Sequence, residues 1–448
     1  MNNSEMNERI DGGENRGKHF GWGIVLFFIV LLMMAIVATA LITFSYTINR
    51  FCYVEDENSA KLQTITKLIE DQAYGNPDYD KMLEEALKAY VGATGDKYTR
   101  YYTDEEFSAL LEENEGNYVG IGVTVREETV VYQGNACLTL KILRVASDSP
   151  ASAVGFSAGD YIYAVEDAEG AIKTVDELGQ DNIVNLIRGE AGSKVKIYVL
   201  TGDVTSLQLK DAVLERKEVQ SVSVEYSISE TDPSVGIVKM YQFDLTTPVQ
   251  LSAAIDSLKN QKIQKIVLDL RDNGGGDLMS VIACSSYFVN VGDIIVTSEN
   301  KAGETDTRRA VRRNYANEYS TCSVQDEEIG KYKDLQIVTL VNNYTASAAE
   351  LLTAVLRDYE VATSVGITTY GKGTMQTLFS LDDYGLEGGI KITTDCYYPP
   401  SGESYDGIGI TPDVVVEAPE GFDLYDVLYE ADDVQLLRAI EVLQNQQQ

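Results

Sequence analysis

The stretch DLQIVTLVNNYTASAAELLTAVLRD (334–358) holds two textures joined by a short polar turn. DLQIVTLVN is a short apolar, β-branched run of the kind found in a strand buried on both faces. ASAAELLTAVLRD places its apolar residues at helical spacing. The same pairing occurs upstream. GIVKMYQF (236–243) reads as a strand and TPVQLSAAIDSLKNQ (247–261) as a helix. KIVLDLR (265–271) is a second buried strand, and GGGDLMSVIACSSYF (274–288) is a glycine turn entering a helix. Strands alternating with helices predict βαβ units, hence an α/β core with a mainly parallel sheet covered on both faces, over 216–420.

Other textures surround this core. Residues 56–115 are rich in Glu, Lys, Leu and Ala at helical spacing and predict a helical N-terminal region. From 116 to 215, short β-rich runs separated by glycine, such as YVGIGVTV, CLTLKILRV and KVKIYVL, predict a compact α+β module. Residues 298–330 are charged and without pattern, and are expected to be an exposed insertion; 421–448 is expected to be a C-terminal helical tail. The uncharged run WGIVLFFIVLLMMAIVATALITF (22–44) is long enough to span a bilayer. With Arg9, Arg16 and Lys18 before it, the expectation is a cytoplasmic tail over 1–20, a signal-anchor helix over 21–44, and the remainder outside the cytoplasm.

The chain has 36 basic and 70 acidic residues, a formal charge of −34, which argues against a nucleic-acid partner. Five cysteines lack the spacing of a zinc site or a disulfide framework. Cys137, Cys284 and Cys396 lie in apolar or strand-like surroundings and are expected to be buried.

One histidine, His19, occurs in 448 residues, so a nucleophilic serine needs another base. Gly155-Phe-Ser-Ala-Gly159 matches a nucleophile-elbow pattern but has no histidine downstream, and reads as a structural turn. The S-x-x-K matches at Ser193 and Ser298 lack their companion motifs. GITTYGKG (366–373) approaches a phosphate loop but has Gly373 in place of the magnesium-binding hydroxyl. Ser347-Ala-Ala-Glu350 fits a capping box and, equally, a nucleophile at a helix start on the C-terminal edge of a parallel sheet. The glycines after Asn273 offer backbone N–H groups beside that of Ala348 for an oxyanion. Lys372, between two glycines in an uncharged stretch, is the candidate base if burial lowers its pKa from ~10.4 toward 7–8. A strand through TMQTLF has a period of two that places Gln376 on the face of Lys372, where it could hold the amine.

At this point the residues resemble the carboxy-terminal processing proteases, PDZ-containing serine peptidases that use a Ser–Lys dyad. The resemblance is carried by GDKYTRYY (95–102), GNYVGIGVTV (116–125), SPASAVGFSAGDYIYAVED (149–167), LIRGEAGSKVKIYVL (186–200), IVLDLRDNGGG, LVNNYTASAAELLTAVLRD, GKGTMQ and YYPPSGESYDGIGITPDV. It implies that Ser347 is the nucleophile, Lys372 the general base and Gln376 the residue orienting the lysine. Oxyanion donors would be the N–H groups of Ala348 and Gly275. Gly120, Ile121 and Gly122 would receive a substrate's C-terminal carboxylate in a PDZ domain over 116–215. The implied activity is an extracytoplasmic, membrane-tethered endopeptidase acting on protein or peptide C-termini, with no metal or cofactor and with a homo-oligomeric state left open. An adaptor with a non-catalytic protease-like scaffold is the competing reading. Asn273-Gly274, where the family often has Asn-Pro, and Thr345, where serine is common, depart from the pattern without touching the dyad.

Overall fold

The computed structural model describes residues 22–51, 57–316, 321–425 and 430–445. The chain divides into two compact units, Met1–Glu85 and Ala86–Gln448. In the first, the helix Trp22–Phe51 contains one segment, Leu26–Thr43, of mean hydropathy 2.8 that is long and apolar enough to cross a membrane. His19 and the basic residues before this helix lie outside the described residues, as does Cys52.

The second unit is built on a six-stranded sheet in the order Val224–Ile228, Val235–Met240, Lys265–Asp269, Gln336–Val341, Ala362–Gly366 and Val414–Val415. The first pair is antiparallel and the other four are parallel. Its central strands are largely apolar because both faces are covered. Ile266 and Leu268 belong to one core with residues of the helices Thr247–Asn260, Leu278–Ser286 and Ala348–Asp358. Val267 and Val338 belong to another core, with Leu436, Ile440 and Leu443 of the helix Val434–Asn445. Parallel strands with helical crossovers bring Asn273-Gly274-Gly275-Gly276 and Ser347 to the same C-terminal edge of the sheet.

Residues 117–220 form a separate layer. Asn117–Gly120 pairs antiparallel with Lys217–Gln220, so the segment leaves and re-enters the core through a two-stranded stem that ends at 220, beyond the expected 215. Above it lies a six-stranded antiparallel sheet with the helix Val175–Ile187 packed on one face.

Three expectations are corrected. Residues 298–330 are not a patternless exposed insertion. Ile294–Asn300 and Thr305–Arg309 form a hairpin, and Thr297–Asn300 pairs with Asp395–Tyr398. Arg313–Ala316 pairs with Thr321–Val324, and Ala310, Val324 and Tyr332 are fully buried. These strands expose one face and are rich in polar residues, so the local apolar pattern is weak, and one of them also pairs far along the chain. The helical region 56–115 contains the strand Arg100–Tyr102, paired with Gly389–Lys391, whose stability comes from the same long-range sheet. Cys396 is exposed, because its strand is only half-covered; Cys137 and Cys284 are buried.

A buried ion cluster fastens the C-terminal helix to the sheet edge. The Arg271 side chain is 2 % exposed and donates to both oxygens of Asp269 (3.0 and 2.8 Å) and of Asp433 (2.9 and 2.7 Å). The Lys239 ammonium lies 3.2 Å from Asp269 and donates to the Arg271 carbonyl at 2.7 Å. The Arg271 and Lys239 charges outweigh the burial penalty and hold the Asp269 carboxyl well below the usual carboxylate range. Asp433→Ala leaves the guanidinium half-paired in the interior and is expected to destabilise the chain by about 3–5 kcal/mol. An unchanged denaturant midpoint would contradict this role for the cluster.

Candidate active site

Two loops meet at the C-terminal edge of the sheet. The Asn342 side chain laces them together, accepting from Asp272 N–H (3.0 Å) and donating to Asp272 Oδ1 (2.6 Å). Thr345 Oγ1 donates to the Leu270 carbonyl (2.8 Å), and Ala346 N–H donates to that of Asn273 (2.9 Å). The hydroxyl of Thr345 thus serves as a serine would at that position. The chain then turns sharply at Ser347, which has φ of 56° and ψ of −118° before the helix begins at Ala348. A serine in this region is strained, and such strain persists where surrounding bonds over-determine it. Gly275 lies against the turn; a Cβ there would stand 2.7 Å from Ser347 Cβ and 3.0 Å from Ala348 N, so only glycine permits the approach.

The main bond holding Ser347 comes from Glu350, which is fully buried. Its Oε2 accepts from the N–H of Ser347 (2.9 Å) and of Lys372 (2.9 Å). Its Oε1 accepts from Thr369 Oγ1 (2.6 Å) and from Gly371 N–H (2.7 Å). One carboxylate therefore joins the serine turn to the lysine loop. GITTYGKG is this lysine loop, with its hydroxyl and amides turned onto a carboxylate. Tyr397, also buried, donates its hydroxyl to the Lys372 carbonyl at 2.7 Å and lines the same cavity as Ser347.

The Lys372 ammonium lies 4.5 Å from the centroid of the Tyr98 ring and has no hydrogen bond among the described residues. Its pKa is lowered to about 8, chiefly by desolvation, then by the like charge of Lys391, with a smaller contribution from Lys97. Asp96 and Glu350 act in the opposite direction and do not prevail. Ser347, Ala348, Gly275, Lys372 and Gln376 line one cavity of about 630 Å³.

Two residues of the site stand differently from expectation. The Gln376 amide donates to Thr393 Oγ1 (3.1 Å) and, at 3.3 Å, to Thr374 Oγ1, and no hydrogen bond joins it to Lys372. The ladder slips between Met375 and Gln376, and the strand begins only at Thr374, so the period-two placement is broken. The Gly275 N–H is taken by Asn273 Oδ1 (2.9 Å), whereas the Ala348 N–H is without a hydrogen bond among the described residues. Glu350 was visible in the sequence only as a capping-box partner. Tyr98, Lys391 and Tyr397 carried no signal beyond their presence in two of the quoted segments or, for Lys391, none.

A second cavity of about 280 Å³ lies in the 117–220 layer and is lined by Gly120, Ile121 and Gly122. Gly122 has φ of 81°, and the N–H groups of Ile121 and Gly122 make no hydrogen bond among the described residues.

Residues 234–416 match the profile of Peptidase family S41. The chain carries a Peptidase family S41 domain. A carboxy-terminal-processing protease of Bartonella bacilliformis is 29% identical over 375 residues, covering 82% of this chain and 77% of the relative. A Staphylococcus epidermidis protein described as a "Probable CtpA-like serine protease" is 27% identical over 397 residues, or 89% and 73% of the two chains. A solved structure from Bacteroides fragilis, described as a "Putative S41 protease", shares the fold, with a TM-score of 0.54 and 15% identity over 84% of this chain and 93% of that one. The domain is thus that of a peptidase, and its relatives are named for carboxy-terminal processing and as serine proteases.

If neutral Lys372 is the base, kcat/KM of the peptidase rises with pH through an apparent pKa near 8. Lys391→Gln removes the neighbouring positive charge and is expected to move that limb to higher pH. A limb unmoved by the substitution would rule out Lys391 as a determinant.

Proposed function

We propose that this chain is a membrane-anchored endopeptidase that captures protein substrates by their C-termini and cleaves them with a Ser347–Lys372 dyad. The observation that carries the reading is the buried Glu350, which binds the backbone of both residues at once beside a lysine pushed down to about 8. Neutral Lys372 accepts the Ser347 hydroxyl proton as Oγ attacks the scissile carbonyl, and the conjugate ammonium returns a proton to the leaving amine. The Ala348 N–H, at the start of a helix, receives the oxyanion. The Gly275 N–H joins it when its bond to Asn273 opens. Water then hydrolyses the acyl-enzyme, and Gln376 serves as a wall of the cleft that meets the lysine as substrate enters. No metal or cofactor takes part.

Residues 116–215, with their stem to 220, are read as the PDZ domain, and the free amides of Ile121 and Gly122 as the seat of the substrate's terminal carboxylate. Residues 216–420 are the protease core, and 421–448 form the C-terminal segment that locks onto Arg271. The apolar helix over 21–44 tethers the chain, with residues 1–20 cytoplasmic and the catalytic unit outside.

Full-length protein in detergent is expected to cleave an unstructured protein with an apolar C-terminus. Ser347→Ala and Lys372→Ala should each lower kcat/KM by roughly 10⁴-fold or more. Cleavage surviving Lys372→Ala at a comparable rate would overturn the dyad.

A further inference from the structure

The wall of the smaller cavity carries an arginine that the catalytic reading does not use. Arg144 lines the cavity together with Gly120–Gly122, and its guanidinium lies 3.5 Å from the centroid of the Tyr241 ring. Its Nη2 donates to Thr124 Oγ1 at 3.3 Å, Tyr425 offers a second hydroxyl neighbour, and its buried Nε has no partner. No carboxylate pairs with it among the described residues, in a chain with 70 acidic residues. Arg126, farther along the same face, takes both Glu128 and Asp423. The one acidic residue on the cavity wall, Glu113, is exposed. A stacked guanidinium is held in plane with its donor edge set, the arrangement suited to a carboxylate.

The strand geometry says which carboxylate. Val123–Tyr132 pairs with Asn135–Val145 on one edge and, among the described residues, has no strand on the other. A peptide whose terminal carboxylate sits on the Ile121 and Gly122 amides would extend along that open edge as an added strand. Its side chains alternate between the two faces. Val123 and Val125 belong with the inner core, where Val184 and Ile187 line the cavity, so the last residue meets an apolar wall. Thr124 lies on the opposite face and is paired in register with Arg144. The penultimate side chain therefore points toward Thr124 and Arg144.

We infer that Arg144 reads an acidic side chain at the penultimate position, so that preferred substrates end in Asp or Glu followed by an apolar residue. This rests on reading the cavity as the C-terminus-binding groove, and the test separates the two. Fluorescent peptides ending in an apolar residue preceded by Glu, Gln or Lys are titrated against full-length Ser347→Ala protein in detergent, with anisotropy as the readout. A C-terminal amide of the Glu peptide completes the set. The Glu peptide is expected to bind about tenfold more tightly than the Gln peptide, as a charge-assisted pair should, and the Lys peptide more weakly than either. Added Arg144→Gln should bring the Glu-to-Gln ratio near one. Equal affinities for Glu and Gln in the parent, or a ratio that survives Arg144→Gln, with amidation still weakening binding, would overturn the role of Arg144 alone. Binding indifferent to amidation would overturn the groove reading and the inference with it.

Discussion

The serine turn and the lysine loop of the cleft both refer back to the carboxylate of Glu350. It lies fully inside the fold and accepts four hydrogen bonds, two from amides of the lysine loop, one from the Ser347 amide and one from Thr369. Hydrogen bonds to a charged group contribute roughly 1.5–3 kcal/mol each, and leaving such donors unpaired in the interior costs about as much. That is enough to hold Ser347 in a left-handed conformation that costs of order 1–3 kcal/mol. The same carboxylate sets where Lys372 stands relative to the serine turn.

The electrostatics of the lysine are local and opposed to those of the whole chain. A protein of net charge −34 should favour protonated lysines, and Asp96 and Glu350 do act that way on Lys372. Burial and the cations Lys391 and Lys97 outweigh them because they are near and poorly screened. The glycine loop and the serine turn are also braced from below. Asp269, Arg271 and Asp433 bind the sheet edge to the C-terminal helix, so the glycine loop and the serine turn rest on a fixed base.

The alternation of strand and helix was legible in the sequence because a sheet covered on both faces needs continuous apolar strands, as in KIVLDLR and QIVTLV. Ser347 and Lys372 stood out in the sequence because each departs from its surroundings, a serine at a helix start after a buried strand and a lysine between glycines, and both line one cavity. Glu350 looked like an ordinary cap, since one of its four bonds is a capping bond and the other three come from the loop 369–372, which no local pattern connects to it. The orientation of Gln376 was misread because a register slip cannot be seen in one strand alone. The strand Arg100–Tyr102 escaped notice for a related reason, since its partner Gly389–Lys391 lies far away in sequence, and the hairpin 294–309 because its second strand, Thr305–Arg309, is wholly polar.

The account turns on whether one buried carboxylate holds the proposed nucleophile, Ser347, and the proposed base, Lys372, in working register. The most direct measurement is the rate at which a fluorophosphonate acylates Ser347 in full-length Glu350→Gln protein whose circular dichroism matches the parent. Such a probe reports the activated serine without requiring substrate capture. The account predicts acylation slowed by about a hundredfold or more, on the scale of losing a residue that positions a nucleophile. Acylation at the parental rate would contradict it, and would mean that Ser347 and Lys372 find each other without Glu350.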